Sequence, residues 1–169
     1  MSQQYIDTEL DGFKLRFATE ADIPLILYFI KELAAYEVML DEVTADEETL
    51  YESLFRRKMA EVIIGEYRDK PVSFALFFYN FSTFLGRPGI YLEDLYVEPK
   101  IRGKGIGKIM LAFLAKLTLD RNCSRLEWRC LDWNEHAVNF YKQMGAVPMD
   151  EWTVYRLADR ELEDLAKKF

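Results

Sequence analysis

Along this chain of 169 residues the spacing of apolar side chains switches repeatedly between a strand-like period and a helical one. From Phe13 to Phe17 apolar and charged residues alternate, which predicts a short strand. Thr19 and Asp22 then stand three residues apart as a capping box, and Ile23, Ile26, Leu27, Ile30, Leu33 and Ala34 follow at helical spacing. A second cap, Thr44 with Glu47, opens a helix carrying Leu50, Leu54 and Phe55, after an acidic, solvated link over 36–43. Residues 61–67 and 72–79 read as two strands of an antiparallel hairpin joined through Arg68-Asp69-Lys70-Pro71. The stretch 80–89 holds Gly86, Pro88 and Gly89 and reads as a loop or an irregular strand end. A strand over 90–97 is stopped by Glu98-Pro99, and a helix over 105–119 and a strand over 125–131 follow. Asn134 is well typed as the N-cap of a helix over 134–144, with Gly145 as its stop; a strand over 152–157 and a helix over 159–168 close the chain. Hairpins mixed with parallel crossovers predict an α/β sandwich on a mixed sheet, and the length suits a single domain over 1–169.

Composition narrows the function. Apolar residues make up 50% and aromatic residues 15%, far too much for a disordered segment. Lys plus Arg is 22 against 29 Asp plus Glu, net −7, which speaks against a broad nucleic-acid surface. The charge is uneven. Between Lys31 and Leu54 eight acids (Glu32, Glu37, Asp41, Glu42, Asp46, Glu47, Glu48, Glu52) face one base; between Glu98 and Arg129 eight bases face three acids. One part suits a cation and another an anion. Two cysteines, Cys123 and Cys130, cannot build a disulfide scaffold or a four-thiolate site. No His/Cys cluster offers a metal three ligands, and both cysteines read as structural, Cys130 alternating with Trp128 in its strand. The start, MSQQYIDTEL, lacks the features of a secretory signal, and no apolar run approaches a membrane span, so a cytoplasmic location is the expectation.

The strongest local signal runs from Val97 to Lys108, between a strand and a helix. Gly103, Gly105 and Gly107 let the backbone turn sharply and leave its amides uncovered, so an anion can rest on them; Arg102, Lys104 and Lys108 surround that seat with charge. A P-loop would need Ser or Thr after Gly107-Lys108, and a dinucleotide fingerprint would need GxGxxG in a first βαβ unit. The turn therefore reads as a phosphate or pyrophosphate seat of another kind, the alternative being an ordinary glycine-rich turn with surface bases.

The second half of the chain resembles the GNAT superfamily of acyl-CoA N-acyltransferases. Arg102-Gly103-Lys104-Gly105-Ile106-Gly107 matches that family's R/Q-x-x-G-x-G/A pyrophosphate signature, and Asn134 to Ala146 matches its N-x-x-A-x-x-F-Y-x-x-x-G-F/A segment. Lys31–Glu37, Tyr91–Val97 and Asp132–Glu135 look like segments of the spermidine/spermine and thialysine N-acetyltransferase branch. The resemblance implies a three-layer α/β/α sandwich around a splayed mixed sheet, acetyl-CoA as cosubstrate, and a homodimer. It implies that the strand before the glycine turn is bulged, with the pantetheine arm bonding to strand backbone at Leu95, Tyr96 and Val97. Residues Arg102, Gly103, Lys104, Gly105, Ile106, Gly107 and Lys108 would hold the pyrophosphate, and Asn134, Tyr141 and Lys142 the rest of the cofactor.

Acetyl transfer to an amine needs a neutral nitrogen, a donor for the developing oxyanion and a proton for the leaving thiolate. An alkyl ammonium with a pKa of about 10.4 leaves only about one molecule in a thousand neutral at pH 7, so a carboxylate that takes up the proton helps. Glu93 and Asp94 fall on opposite faces of their strand, so one can enter a cleft while the other is structural or solvated. The residues alone leave the two nearly even; the resemblance assigns the catalytic role to Glu93 and the leaving-group acid to Tyr141, seven residues after Asn134 on the same side of the helix. The backbone N–H near Leu95 is the expected oxyanion donor. His136, the single histidine, reads as a surface residue of the cap region. Glu32, Tyr36, Glu37, Glu93, Asp94, Trp133, Glu151 and Trp152 are the candidates for holding the amine, although acid-rich helix faces are also simply solvated. Ser82 and Phe84 stand where the polyamine enzymes carry an acid and a tryptophan, so a smaller diamine or a thialysine-like amine stays open beside a polyamine. The rival functions are acetylation of a protein N-terminus or lysine, and a non-catalytic acyl-CoA sensor.

Overall fold

Alternation over Phe13–Phe17 does produce a strand, and it lies second in a six-stranded sheet. The computed structural model describes residues 4–169, and the chain divides into two compact units, the first ending at Arg129 and the second running Cys130–Phe169. The first unit runs β1 (Ile6–Asp7), β2 (Phe13–Phe17), α1 (Ile23–Tyr36), α2 (Glu47–Tyr51), β3 (Glu61–Tyr67), β4 (Lys70–Ser82), β5 (Arg87–Val97), α3 (Ile106–Asp120) and β6 (Leu126–Trp128). The strands lie in sequence order, antiparallel up to β5, and only β5 and β6, joined through α3, run parallel. The sheet is mixed and flanked by helices, the α/β/α sandwich expected from the sequence.

One core lies under α1 and α2, where Ile23, Ile26, Phe29, Leu50 and Leu54 meet Val62, Ile64, Phe74 and Tyr96 of the sheet. Phe29 stacks on Phe74 with ring centroids 5.4 Å apart. The alternate strand residues Ile63, Phe77, Ile90 and Leu92 are also buried, as are Ile106, Met110 and Leu114 of α3, which packs against β5. Each buried leucine, isoleucine or phenylalanine contributes about 1.5–3 kcal/mol of transfer free energy, so the sheet is held from both faces.

The Thr19–Asp22 box forms as expected: the Thr19 N–H donates to Asp22 Oδ2 at 2.7 Å, one turn before α1 begins. The second cap is corrected. Asp46, not Thr44, opens α2, its carboxylate accepting from the Thr49 N–H at 2.8 Å, because it sits immediately before the first helical residue. The stretch 80–89, expected to be a loop or an irregular strand end, continues the β4–β5 ladder as far as Ser82 and Arg87 and turns only between them. The expected strand over 125–131 shrinks to Leu126–Trp128 and leaves Cys130 outside it. In the second unit α4 (Glu135–Gln143) and α5 (Asp159–Ala166) form where periodicity put them. Residues 152–157 do not form the expected strand, since alternation alone does not hold a strand and no ladder among the described residues receives this one.

Candidate active site

The geometry of interest begins with one extra residue in β5. Along β4 the register pairs Phe77 with Leu92 but Leu76 with Asp94, so Glu93 is a bulge with no residue opposite it. Before the bulge, Ile90 and Leu92 belong to the parallel ladder with β6; the Ile90 N–H donates to the Arg125 carbonyl at 2.9 Å. After it the parity flips. The Glu98 N–H donates to the Val72 carbonyl at 2.9 Å, so by alternation Tyr96 and Asp94 exchange hydrogen bonds with β4. Leu95 and Val97 consequently aim their N–H and C=O groups away from β4, toward the edge where the parallel ladder has already stopped at Leu92 and Trp128. An open sheet edge with outward-facing amides can accept an extended, amide-bearing chain by backbone hydrogen bonding alone.

This edge leads into the glycine turn. Gly103 and Gly105 take φ of +84° and +83°, and a Cβ at either would meet no atom within 4 Å, so the outer face of the turn is open. Gly105 is the N-cap of the 15-residue α3 and no side chain caps it, leaving the first-turn N–H groups of Ile106, Gly107 and Lys108 directed outward. Uncovered amides at the positive end of a long helix, with Lys104 and Lys108 exposed beside them, fit a pyrophosphate. Arg102 is turned elsewhere. Its Nε donates to the Val97 carbonyl at 2.9 Å, and its guanidinium lies 4.8 Å from the Tyr36 ring and 5.7 Å from the Tyr96 ring.

Those contacts belong to a stripe that the sequence reading only half found. Tyr28, Glu32 and Tyr36 recur every fourth residue on α1 and meet, in turn, Glu98, Tyr96 and Arg102. Tyr28 Oη donates to Glu98 Oε1 at 3.4 Å, and Tyr96 Oη approaches Glu32 Oε2 at 3.5 Å. Burial and the nearby Glu32 carboxylate push the Tyr96 phenol up to about 12, so it stays a hydrogen-bond donor. The i, i+4, i+8 spacing on α1 is a sequence signal for Tyr28 beside Glu32 and Tyr36, whereas Glu98, seventy residues on, carries no such signal.

The two neighbouring carboxylates differ as their alternation predicted. Glu93 is exposed and lies 3.4 Å from Arg129 Nη2. Asp94 is half-buried on the α1 side, opposite Leu76 and two residues before Tyr96, both of which belong to the core beneath α1. Burial, with the charges of Glu93 and Glu37 added, pushes its carboxyl up to about 6. Glu37, which ends α1, is also raised by burial. In the second unit Asn134 Oδ1 caps α4, accepting from the Ala137 N–H at 3.2 Å, and Tyr141 lies two turns on with its ring 5.4 Å from that of Phe140. Lys142 is exposed on the same helix, Trp133 is exposed just before it, and Glu151 and Trp152 are exposed in the segment between α4 and α5. Among the described residues no group of three or more His, Cys, Asp or Glu could hold a metal, and no helix is long and apolar enough to cross a membrane.

A parallel pair that opens beside a bulge, ending in an uncapped glycine turn, defines a protein that holds an acyl-CoA thioester. The profile of the acetyltransferase (GNAT) family matches residues 28–146, and the chain belongs to that family. It is an acetyl-CoA-dependent acyltransferase. The chain is 36% identical to the thialysine N-epsilon-acetyltransferase of Bos taurus over 166 residues, covering 91% of this chain and 97% of that one. It is 34% identical to the spermidine/spermine N(1)-acetyltransferase-like protein 1 of Homo sapiens over 94% of this chain and 24% of that protein. Among solved structures, an integron cassette protein from the mobile metagenome of V. cholerae superposes with a TM-score of 0.78 at 28% identity, covering 92% of this chain and 98% of that one.

Proposed function

We propose that the protein transfers the acetyl group of acetyl-CoA to the primary amine of a small, cationic acceptor of the thialysine or diamine type. The observation that carries this reading is the acidic, aromatic-walled ground on the α1 side of the bulge, where Glu32, Glu37 and Asp94 lie within the same unit as the open β5 edge. An ammonium on a short aliphatic arm is the ligand that such a surface favours. The bovine relative, named for thialysine, and the human one, named for spermidine and spermine, support the same acceptor class.

Bound acetyl-CoA supplies an acetyl thioester. In this reading the amides of Gly103 to Lys108 seat its pyrophosphate and the Leu95 and Val97 backbone groups hold its arm. The Leu95 N–H donates to the oxygen on which charge develops during transfer. Glu93 meets the incoming ammonium, and Tyr141 Oη holds the proton that the leaving sulfur needs. Asn134 and Lys142 support the cofactor, and Trp133, Glu151 and Trp152 contribute to acceptor binding. We further read the whole chain, 1–169, as one catalytic domain acting as a cytosolic homodimer. Sedimentation at micromolar concentration checks the dimer.

A thiol-release assay with acetyl-CoA and a panel of thialysine, lysine, putrescine, spermidine, spermine and short peptides tests the acceptor class. Turnover confined to peptides, or absent with every amine, overturns the proposal. Tyr141→Phe should lower kcat by about 100-fold while leaving acetyl-CoA affinity within about threefold, because a general acid acts in the transition state rather than in binding.

A further inference from the structure

The two carboxylates at the bulge have opposite surroundings. Glu93 is exposed and lies beside the Arg129 guanidinium. Asp94 is half-buried and, among the described residues, has no cation and no hydrogen-bond donor. It stands immediately before Leu95, whose N–H faces the open edge, and on the face covered by α1. The charges acting on it are both negative, Glu93 on its own strand and Glu37 at the end of α1; its neighbour across the ladder, Leu76, is apolar. An unpaired carboxylate withdrawn from water is a cost that a structural role does not explain.

We propose that Asp94, rather than Glu93, is the group that takes the proton from the acceptor ammonium. The inference rests on the reading of the protein as an amine acetyltransferase and divides the labour at the bulge: Glu93 meets the cation from the solvent side and Asp94 accepts its proton. One N–H bond of the ammonium breaks and an O–H bond forms at an Asp94 carboxylate oxygen, leaving a neutral amine. The nitrogen lone pair then forms the new N–C bond while the C–S bond breaks. The sulfur takes up one proton as the nitrogen gives up its second, so that exchange is even. Asp94 returns its proton to water, so each turnover releases one proton, one thiol and one amide. Burial and two flanking negative charges suit Asp94 to this cycle, because they place its titration at about 6, low enough to be ionised at neutral pH and high enough to accept a proton readily.

The experiment is the pH profile of kcat/KM, from pH 5 to 10, with a diamine or thialysine as acceptor. The parent protein, Asp94→Asn, Asp94→Glu and Glu37→Gln are compared, with acetyl-CoA affinity measured by calorimetry as the control for folding. The parent is expected to lose activity as pH falls through about 6. Asp94→Asn should lack that limb and be about 100-fold slower at pH 7, its deficit closing as pH approaches the amine's own value of about 10.4. Asp94→Glu should restore a limb. Glu37→Gln, which removes one of the two like charges, should move the limb to lower pH. An Asp94→Asn enzyme that binds acetyl-CoA normally and keeps the parent's limb, or is slowed equally at every pH, overturns the assignment. Failure of the parent to acetylate any amine overturns the proposed function itself and the assignment with it.

Discussion

At the β2–β3 end of the first unit Asp22 and Glu66 share one buried guanidinium, whereas at the β5 bulge Asp94 is half-buried with no cation beside it among the described residues. Arg16 reaches Asp22 with both terminal nitrogens at 2.8 Å, and its Nε donates to Glu66 at 2.6 Å. Burial opposes ionisation of Asp22, but Arg16 and the Thr19 N–H outweigh it and hold the carboxyl below the ordinary aspartate range. Here the charges clamp the start of α1 to two strands. At the bulge the same residue type meets two further acids and is pushed the other way. Paired acids in this protein secure backbone geometry; the unpaired one is the group proposed above to take a proton.

This contrast can be broken most directly at Arg16. Arg16→Met leaves Asp22 and Glu66 buried without their cation and should cost about 3–5 kcal/mol, read as a fall in the urea midpoint at pH 7. A loss below about 1 kcal/mol would mean that the triad is not the clamp it looks like. Asp94→Asn should do the reverse and stabilise. Its folded-state value of about 6 lies above the ordinary aspartate value of about 3.9, so stability is lost as pH rises from about 4 to about 6. At pH 8 the variant should gain about 2 kcal/mol, less than full linkage because the side chain keeps some contact with water, and near pH 3.5 the two proteins should coincide. A variant less stable than the parent at pH 8 would show that Asp94 has a structural partner. The smallest effect belongs to Asp22. Its folded value is depressed, so its contribution is complete above pH 4 and lost as pH falls through that lower value. The parent's urea midpoint should therefore fall with acidification below pH 4, and this part of the slope should be missing in Asp22→Asn.

The acceptor and donor sides also differ in how far they could be read from the chain. The glycine turn was visible because the constraint is local: Gly103 and Gly105 adopt positive φ that only glycine accepts without strain, and a long helix follows at once. The Asn134 cap and the two-turn spacing to Tyr141 were local in the same sense. The acidic face of α1 was legible as charge, but its partners were not. Tyr36 meeting Arg102, and Glu32 meeting Tyr96, join residues more than sixty positions apart. Alternation identified 152–157 as strand-forming, yet a strand exists only where another edge receives it.

From its sequence alone this protein determined most of its element types, its mixed sheet, its family and the place of its glycine turn, since the signals for each are carried by short stretches of chain. Tertiary structure decided which of two adjacent carboxylates lost its water. Glu93 and Asp94 are the same chemistry in adjacent positions, and a period of two says only that they part. The register of β4 against β5 made Glu93 the bulge, turned Asp94 beneath α1 beside Glu37, and aimed the Leu95 amide at the open edge. That register is a property of two strands and a helix packed together, and burial, which sets the proton affinity, exists only once they are.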